Sequence, residues 1–140
     1  MKISTQIIHF KTDGHTQMHD ITAEINEVLE KSGLSEGQVC VFGIGSTTGI
    51  TTVEFEPGLT KTDVREMFEK FAPYAKHYAH NATWGDDNGA AHLRSFPVGT
   101  SFNAPFVDGR LLLGTWQQIV FVDFDTRPRN RKIAVQVMGV

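Results

Sequence analysis

The chain of 140 residues has a single cysteine, Cys40. That excludes an internal disulfide and predicts a reducing compartment. Cys40 lies in Gln38-Val39-Cys40-Val41-Phe42-Gly43-Ile44, with no adjacent base or basic residue to lower its pKa. A buried strand position is expected there, not a reactive thiolate. No apolar run approaches the roughly 18 residues of a membrane span. The opening Met1-Lys2-Ile3-Ser4-Thr5-Gln6 lacks the apolar core of a signal peptide. Together these absences predict a soluble, cytoplasmic chain that does not engage a membrane. Positive charge is also scarce: 13 Lys and Arg stand against 16 Asp and Glu, for a net charge of −3. This argues against a nucleic-acid binder that works by neutralising phosphates. A small anion held by a few local arginines stays compatible with it. No repeat, low-complexity tract or linker divides the chain. One domain, residues 1–140, is expected, large enough to bury a core without staples.

Periodicity supplies the elements. Ile3–Phe10 reads as an opening strand. Asp20 is placed to cap a helix over Ile21–Lys31, whose apolar stripe is Ile21, Ile25, Val28 and Leu29. Gly33 stands at the C-cap, with Leu34 positioned to pack back. Gln38–Gly45 is a buried strand and Gly49–Glu56 an edge or half-exposed one. A second helix is predicted over Thr62–Ala72, capped by Thr60 or Thr62 and ended by Pro73. Residues 74–89 have no clean period, and long irregular segments in compact domains are more often functional or interfacial than idle. A short helix follows near Ala90–Phe96. Thr100–Val107, Arg110–Asp125 with a break at Gly114, and Lys132–Met138 close the chain as strands. Consecutive, hairpin-linked strands favour antiparallel pairing. The fold class expected is α+β, an antiparallel, sandwich-like sheet with two or three helices.

The segment Gly109–Asp125, GRLLLGTWQQIVFVDFD, is the most informative. Gln117 and Gln118 interrupt an apolar strand, and a buried amide is costly unless it is bonded. A wet strand face accounts for Gln118. Gln117 calls for a partner in the fold, in another subunit or in a ligand. Trp116, Val120, Val122 and Phe124 fall on one face of this strand, with Ile119 and Phe121 on the other. Such a strand is either central or meets another subunit.

The Gly-Thr-Trp-Gln core, followed by Asp123, Asp125, Arg127, Pro128, Arg129 and Arg131, resembles the signature of the YjbQ-like family, sometimes called secondary thiamine-phosphate synthases. The likeness extends back through His92-Leu93-Arg94-Ser95, Tyr78-Ala79-His80 and Ser46-Thr47-Thr48-Gly49-Ile50-Thr51-Thr52. It implies a trimer-forming fold. It also implies that His80 and His92 belong to a metal or active-site cluster near a subunit junction. Neutral imidazole suits Zn²⁺ and its neighbours better than Mg²⁺. Relatives commonly carry histidine at the position of Ser46, and a subgroup carries one at that of Ala90. The resemblance therefore implies a cluster without its third imidazole here. A metal site would recruit Asp86, Asp87, Glu54, Glu56 or water.

Other residues fill the candidate site. Glu54 and Glu56 share one strand face, an arrangement that raises a carboxyl pKa if buried and is a wet edge if exposed. The resemblance places that strand near the cleft, which adds Glu54 to the catalytic candidates His80 and His92. Arg94, Arg110, Arg127, Arg129 and Arg131 are the natural phosphate binders, because guanidinium grips oxyanions through paired bonds, and Arg94, close to His92, is the better candidate among them. The Arg127–Lys132 cluster reads as a solvated turn. Ser46, Thr47 and Thr48, flanked by Gly45 and Gly49, offer hydroxyls and amides to a phosphate. Gln117 joins them as a ligand-facing amide. His15 and His19 read as a polar loop.

Two functions follow. The resemblance implies thiamine-phosphate synthesis, with transfer of a pyrimidine methyl carbon to a thiazole phosphate and release of pyrophosphate. A divalent metal, Zn, Mn or Mg, would assist. The alternative is a non-catalytic trimeric module that binds a small phosphorylated ligand.

Overall fold

A computed structural model describes all 140 residues. In chain order the elements are β1 (Lys2–Thr12), β2 (Gln17–Asp20), α1 (Thr22–Ser32), β3 (Glu36–Gly43) and β4 (Thr48–Val53). A π-helical turn (Leu59–Asp63) leads into α2 (Val64–Phe71), followed by α3 (Ala79–Trp84) and α4 (Gly89–Val98). β5 (Ser101–Val107), β6 (Arg110–Leu111), β7 (Gln118–Asp123) and β8 (Arg129–Gly139) complete the chain. The strands form a five-stranded sheet, β1-β8-β3-β5-β6, and a three-stranded sheet, β2-β7-β4. All pairs are antiparallel. The α+β architecture is as expected, with four α-helices where two or three were predicted. None is long and apolar enough to cross a membrane.

The core lies between the sheets. Val39, Val41, Phe106, Ile133, Val135 and Val137 of the larger sheet meet Ile50, Ile119 and Phe121 of the smaller, with Ile25, Val28 and Leu29 of α1 closing one end. A second cluster joins Val120, Val122 and Phe124 to Phe68 of α2 and Ala91 of α4. This resolves the doubly apolar strand. β7 is central in its sheet, with the larger sheet against one face and helices against the other. Its two apolar faces are satisfied within one chain, so they give no support to a subunit contact.

Several boundaries differ for physical reasons. The predicted strand Arg110–Asp125 is two strands in different sheets, and the Leu112–Gln117 link carries the chain between them. Gln117 holds this link: its Oε1 accepts from the Gly114 N–H at 3.0 Å, and its Nε2 donates to Thr52 Oγ1 at 3.2 Å. The buried-amide question is thus answered inside the fold, where both ends of the Gln117 amide have partners. Trp116 lies before β7 and is exposed. β4 ends at Val53, so Glu54 and Glu56 share no strand face. Glu54 is exposed, and Glu56 accepts from the Gly58 and Leu59 N–H groups at 2.8 and 2.6 Å.

The N-terminal region held an unforeseen strand. Gln17–Asp20, read as a polar loop, is β2 and pairs with β7. His15 and Thr16 take positive φ angles of 51° and 65° to make the turn into it. Asp20 does receive the start of α1, its Oδ1 accepting from Thr22 N–H at 3.0 Å. Gly33 ends α1 in the left-handed region at φ 66°, as its position predicted.

Candidate functional site

The α3–α4 hairpin brings His80 and His92 together. Gly85 ends α3 in a left-handed conformation, and Asn81 Oδ1 accepts from the Gly89 N–H at 3.0 Å, closing the turn into α4. The two imidazole centroids are 4.4 Å apart, with the rings inclined by 59°. His80 Nε2 lies 3.1 Å from Asn88 Oδ1. Burial pushes the His92 imidazole below its ordinary pKa, and neighbouring His80 pushes the same way. Asp125, the Ser46 backbone and Asp86 oppose this without reversing it. His92 is therefore held largely neutral at pH 7, with a lone pair available.

Behind the histidines lies a charged network that the sequence reading took for a solvated turn. Asp123 is fully buried. Arg131 spans it with two bonds, Nε to Oδ2 at 2.6 Å and Nη2 to Oδ1 at 2.8 Å. Thr12 of β1 donates to the same carboxylate. Asp125 Oδ2 accepts from Thr47 Oγ1 at 3.1 Å and from Arg129 Nε at 3.1 Å. Burial alone would raise the Asp125 carboxyl. The Thr126 N–H, Arg129, Thr47 and Arg131 outweigh it and hold the pKa below its ordinary value. Arg131 Nη2 also donates to Thr47 Oγ1 at 2.8 Å. Thr126 Oγ1 donates to Asp87 Oδ1 at 2.7 Å, tying this loop to the α3–α4 turn.

Of the predicted residues, Ser46 is exposed with its backbone near His92, and Thr47 is a buried member of the Asp125 network. Thr48 is fully buried, and its Oγ1 is without a hydrogen-bond partner. Arg94 is not a phosphate arm. It is 1% exposed and donates to Ala72 O at 2.8 Å, Thr16 Oγ1 at 2.9 Å and Glu69 Oε1 at 2.5 Å. Its guanidinium also lies 3.8 Å from the centre of the Tyr74 ring. Arg94 fastens α4 to α2 and to the turn before β2. Asp123 and Asp125 were missed as site residues, and Arg129 and Arg131 were ranked below Arg94. Their signal was present: two acids and two arginines, each pair at strand spacing, flanking a turn.

Within one chain the donor set for a metal is the two imidazoles of His80 and His92. No three His, Cys, Asp or Glu side chains lie close enough to hold one ion. Glu56 is committed to backbone amides, and Asp87 to Thr126. Ala90 is fully buried at the start of α4, so a histidine there would displace packed neighbours.

Over residues 6–140 the chain matches the family model described as UPF0047 protein YjbQ-like. It is 39% identical over 139 residues to a UPF0047 protein of Methanothermobacter thermautotrophicus, covering 99% of this chain and 94% of that one. It is 33% identical over 132 residues to UPF0047 protein YugU of Bacillus subtilis, covering 94% and 97%. Among solved structures, a hypothetical protein from Aeropyrum pernix superposes with a TM-score of 0.90 at 32% identity, covering 98% and 99% of the two chains. A YbjQ-like protein of unknown function from Sulfolobus solfataricus gives 0.88 at 29% identity, covering 99% and 100%. Matched along nearly its whole length in sequence and in fold, this chain belongs to the YjbQ-like UPF0047 family.

Proposed function

We propose that the chain is a cytoplasmic enzyme that handles a small phosphorylated substrate at the His80–His92 pair. The observation that carries this is two imidazoles in contact, one kept neutral by burial, beside exposed Ser46. Neutral, paired imidazoles can both donate and accept a proton near pH 7. The reaction proposed is thiamine-phosphate synthesis. The nitrogen of a thiazole phosphate attacks the methylene carbon of a pyrimidine methyl pyrophosphate. The C–N bond forms as the C–O bond breaks, and its electrons leave with pyrophosphate. Imidazole N–H groups of His80 and His92 would bond the departing oxygen, while exposed Ser46 would orient phosphate. No step is assigned to Zn, Mn or Mg, because the chain offers such an ion two imidazoles and no third ligand. The same reading takes the protein to be a homotrimer. Exposed Leu93 and Phe96 of α4 and Trp84 of α3 form the apolar surface that another copy would cover.

The test is turnover of the two phosphorylated substrates, with and without each metal. Product is expected from the parent chain, with a fall of about 10²-fold or more in His92→Ala, the usual size of an acid–base contribution. No product under any condition would sink the synthase reading. The shortage of metal ligands favours one other reading, a module that binds a phosphorylated ligand without turning it over. Saturable binding of the thiazole phosphate without product would support that instead.

A further inference from the structure

We propose a second anion site, separate from the histidine pair, in a groove on the outer face of the five-stranded sheet, where a small phosphate monoester or free phosphate binds. The groove, of about 630 Å³, is lined by His9 and Lys11 of β1, by Asn130, Arg131 and Lys132 of β8, and by Ile44. That volume falls in the range of small-molecule sites. None of its lining residues is acidic, although the chain carries more acids than bases.

Register explains the concentration of charge. His9 pairs with Lys132 and Lys11 with Asn130 across the β1–β8 ladder. All four side chains lie on the exposed face, opposite the inward residues Phe10, Arg131 and Ile133. Diagonal neighbours on such a ladder are about 7–8 Å apart, so the Lys11 and Lys132 ammonium groups can reach one phosphate between them. Neither lysine has an ion-pair partner; the ion pairs of the fold use Lys31, Arg94, Arg129 and Arg131. Gathering cations on one face without acids costs stability through repulsion, which a bound anion would relieve.

Arg131 also borders the groove, but its guanidinium lies on the inward face, so the outer-face donors are His9, Lys11, Asn130 and Lys132. The Arg131 Nε and Nη2 are anchored to Asp123, Thr47 and Asp125, whereas Nη1 makes no hydrogen bond within the chain. A Cβ at position 45 would lie 3.3 Å from Nη1, so Gly45 leaves that nitrogen uncovered. The number of cations is too small for a nucleic-acid track, whose affinity grows with the phosphates neutralised.

The experiment is a backbone-amide NMR titration at low ionic strength and pH 7, with inorganic phosphate and, separately, glycerol 3-phosphate. Chloride at equal ionic strength is the control. Saturable shifts are expected at residues 9–11 and 130–132. Lys11→Gln combined with Lys132→Gln should weaken binding about tenfold or more, the scale of one lost charge-assisted hydrogen bond. His92→Ala should leave these shifts in place. Tighter binding of glycerol 3-phosphate would identify a monoester as the ligand, and equal or weaker binding would identify free phosphate. Three results would overturn the proposal: no saturable shift in the groove, the same shifts with chloride, or shifts lost in His92→Ala and kept in the lysine variant. The last would assign phosphate to the histidine cleft. Both lysines are exposed, so the variant is expected to keep the parent spectrum elsewhere.

Discussion

Arg94 and Arg131 are both guanidiniums held mostly inside the fold, and their surroundings give them different work. Every hydrogen bond of Arg94 goes to the chain itself, with no exposed face left for a ligand. Arg131 neutralises a buried aspartate and keeps one nitrogen free. The sequence placed Arg94 ahead of Arg131, because Arg94 stands in a motif beside His92 and Arg131 stands in a charged turn. Burial by Tyr74 and α2, which decides the matter, is a tertiary fact that spacing does not carry. The histidines were legible, since His80 and His92 do meet. Their titration gives the prediction at this scale. Burial pushes both His19 and His92 below the ordinary value of 6.5. The unfolded chain therefore takes up protons first as pH falls. The stability these groups contribute is complete above about pH 6.5 and is lost as pH drops through their folded values. Urea unfolding should show a lower midpoint at pH 5.5 than at pH 7.5. A His19→Gln, His92→Gln variant should narrow that difference, and an unchanged difference would exclude these histidines as its source.

At the scale of elements, the strongly periodic segments were the readable ones. α1, its Gly33 terminus and β3 lie close to their predicted bounds, because one apolar face against one core leaves a clear pattern, whereas β8 begins at Arg129, three residues before its predicted start. β2 was missed because four residues with two polar ends show no alternation, and its partner β7 supplies most of the burial. The split between β6 and β7 was visible only as a break at Gly114, since an apolar run does not reveal that its halves enter different sheets. The docking of α4 on β4 is the clearest energetic consequence at this scale. Ser95 Oγ donates to Thr48 O at 2.5 Å, and a Cβ on Gly49 would lie 2.6 Å from Val98 Cγ1. Gly49→Ala must push the helix from the strand, and overpacking of this kind costs about 1–3 kcal/mol. Denaturant unfolding should show that loss, and a reduced His92→Ala effect on turnover should accompany it if α4 shifts. A neutral Gly49→Ala would mean the helix yields without strain.

Across the whole molecule, large exposed apolar side chains occur on helices, as Phe96 and Trp84, and also on strands and loops, as Ile3, Phe42 and Trp116. Phe96 is 89% exposed and Trp84 74%, values unusual for such large apolar side chains. The resemblance implied three subunits, and Phe96 and Trp84 are among the side chains proposed to meet in that assembly. Light scattering at micromolar concentration should give about three times the 15.6 kDa chain mass. Phe96→Glu should shift the mass toward that of one chain, because a charge buried in such a contact is costly. A parent chain of monomer mass would remove the assembly and its interface together. The β1–β8 ladder has another consequence, in the time domain. It joins the first residues to the last, Lys2 opposite Gly139, so the longest ladder of the fold also spans nearly the whole sequence. During synthesis β1 must wait, unpaired, until the final strand has left the ribosome. Chain closure over that separation is slow, because its entropy is lost before the pairing is gained. The same adjacency brings the two ends side by side, where a short linker would turn the most distant pairing of the chain into a local hairpin.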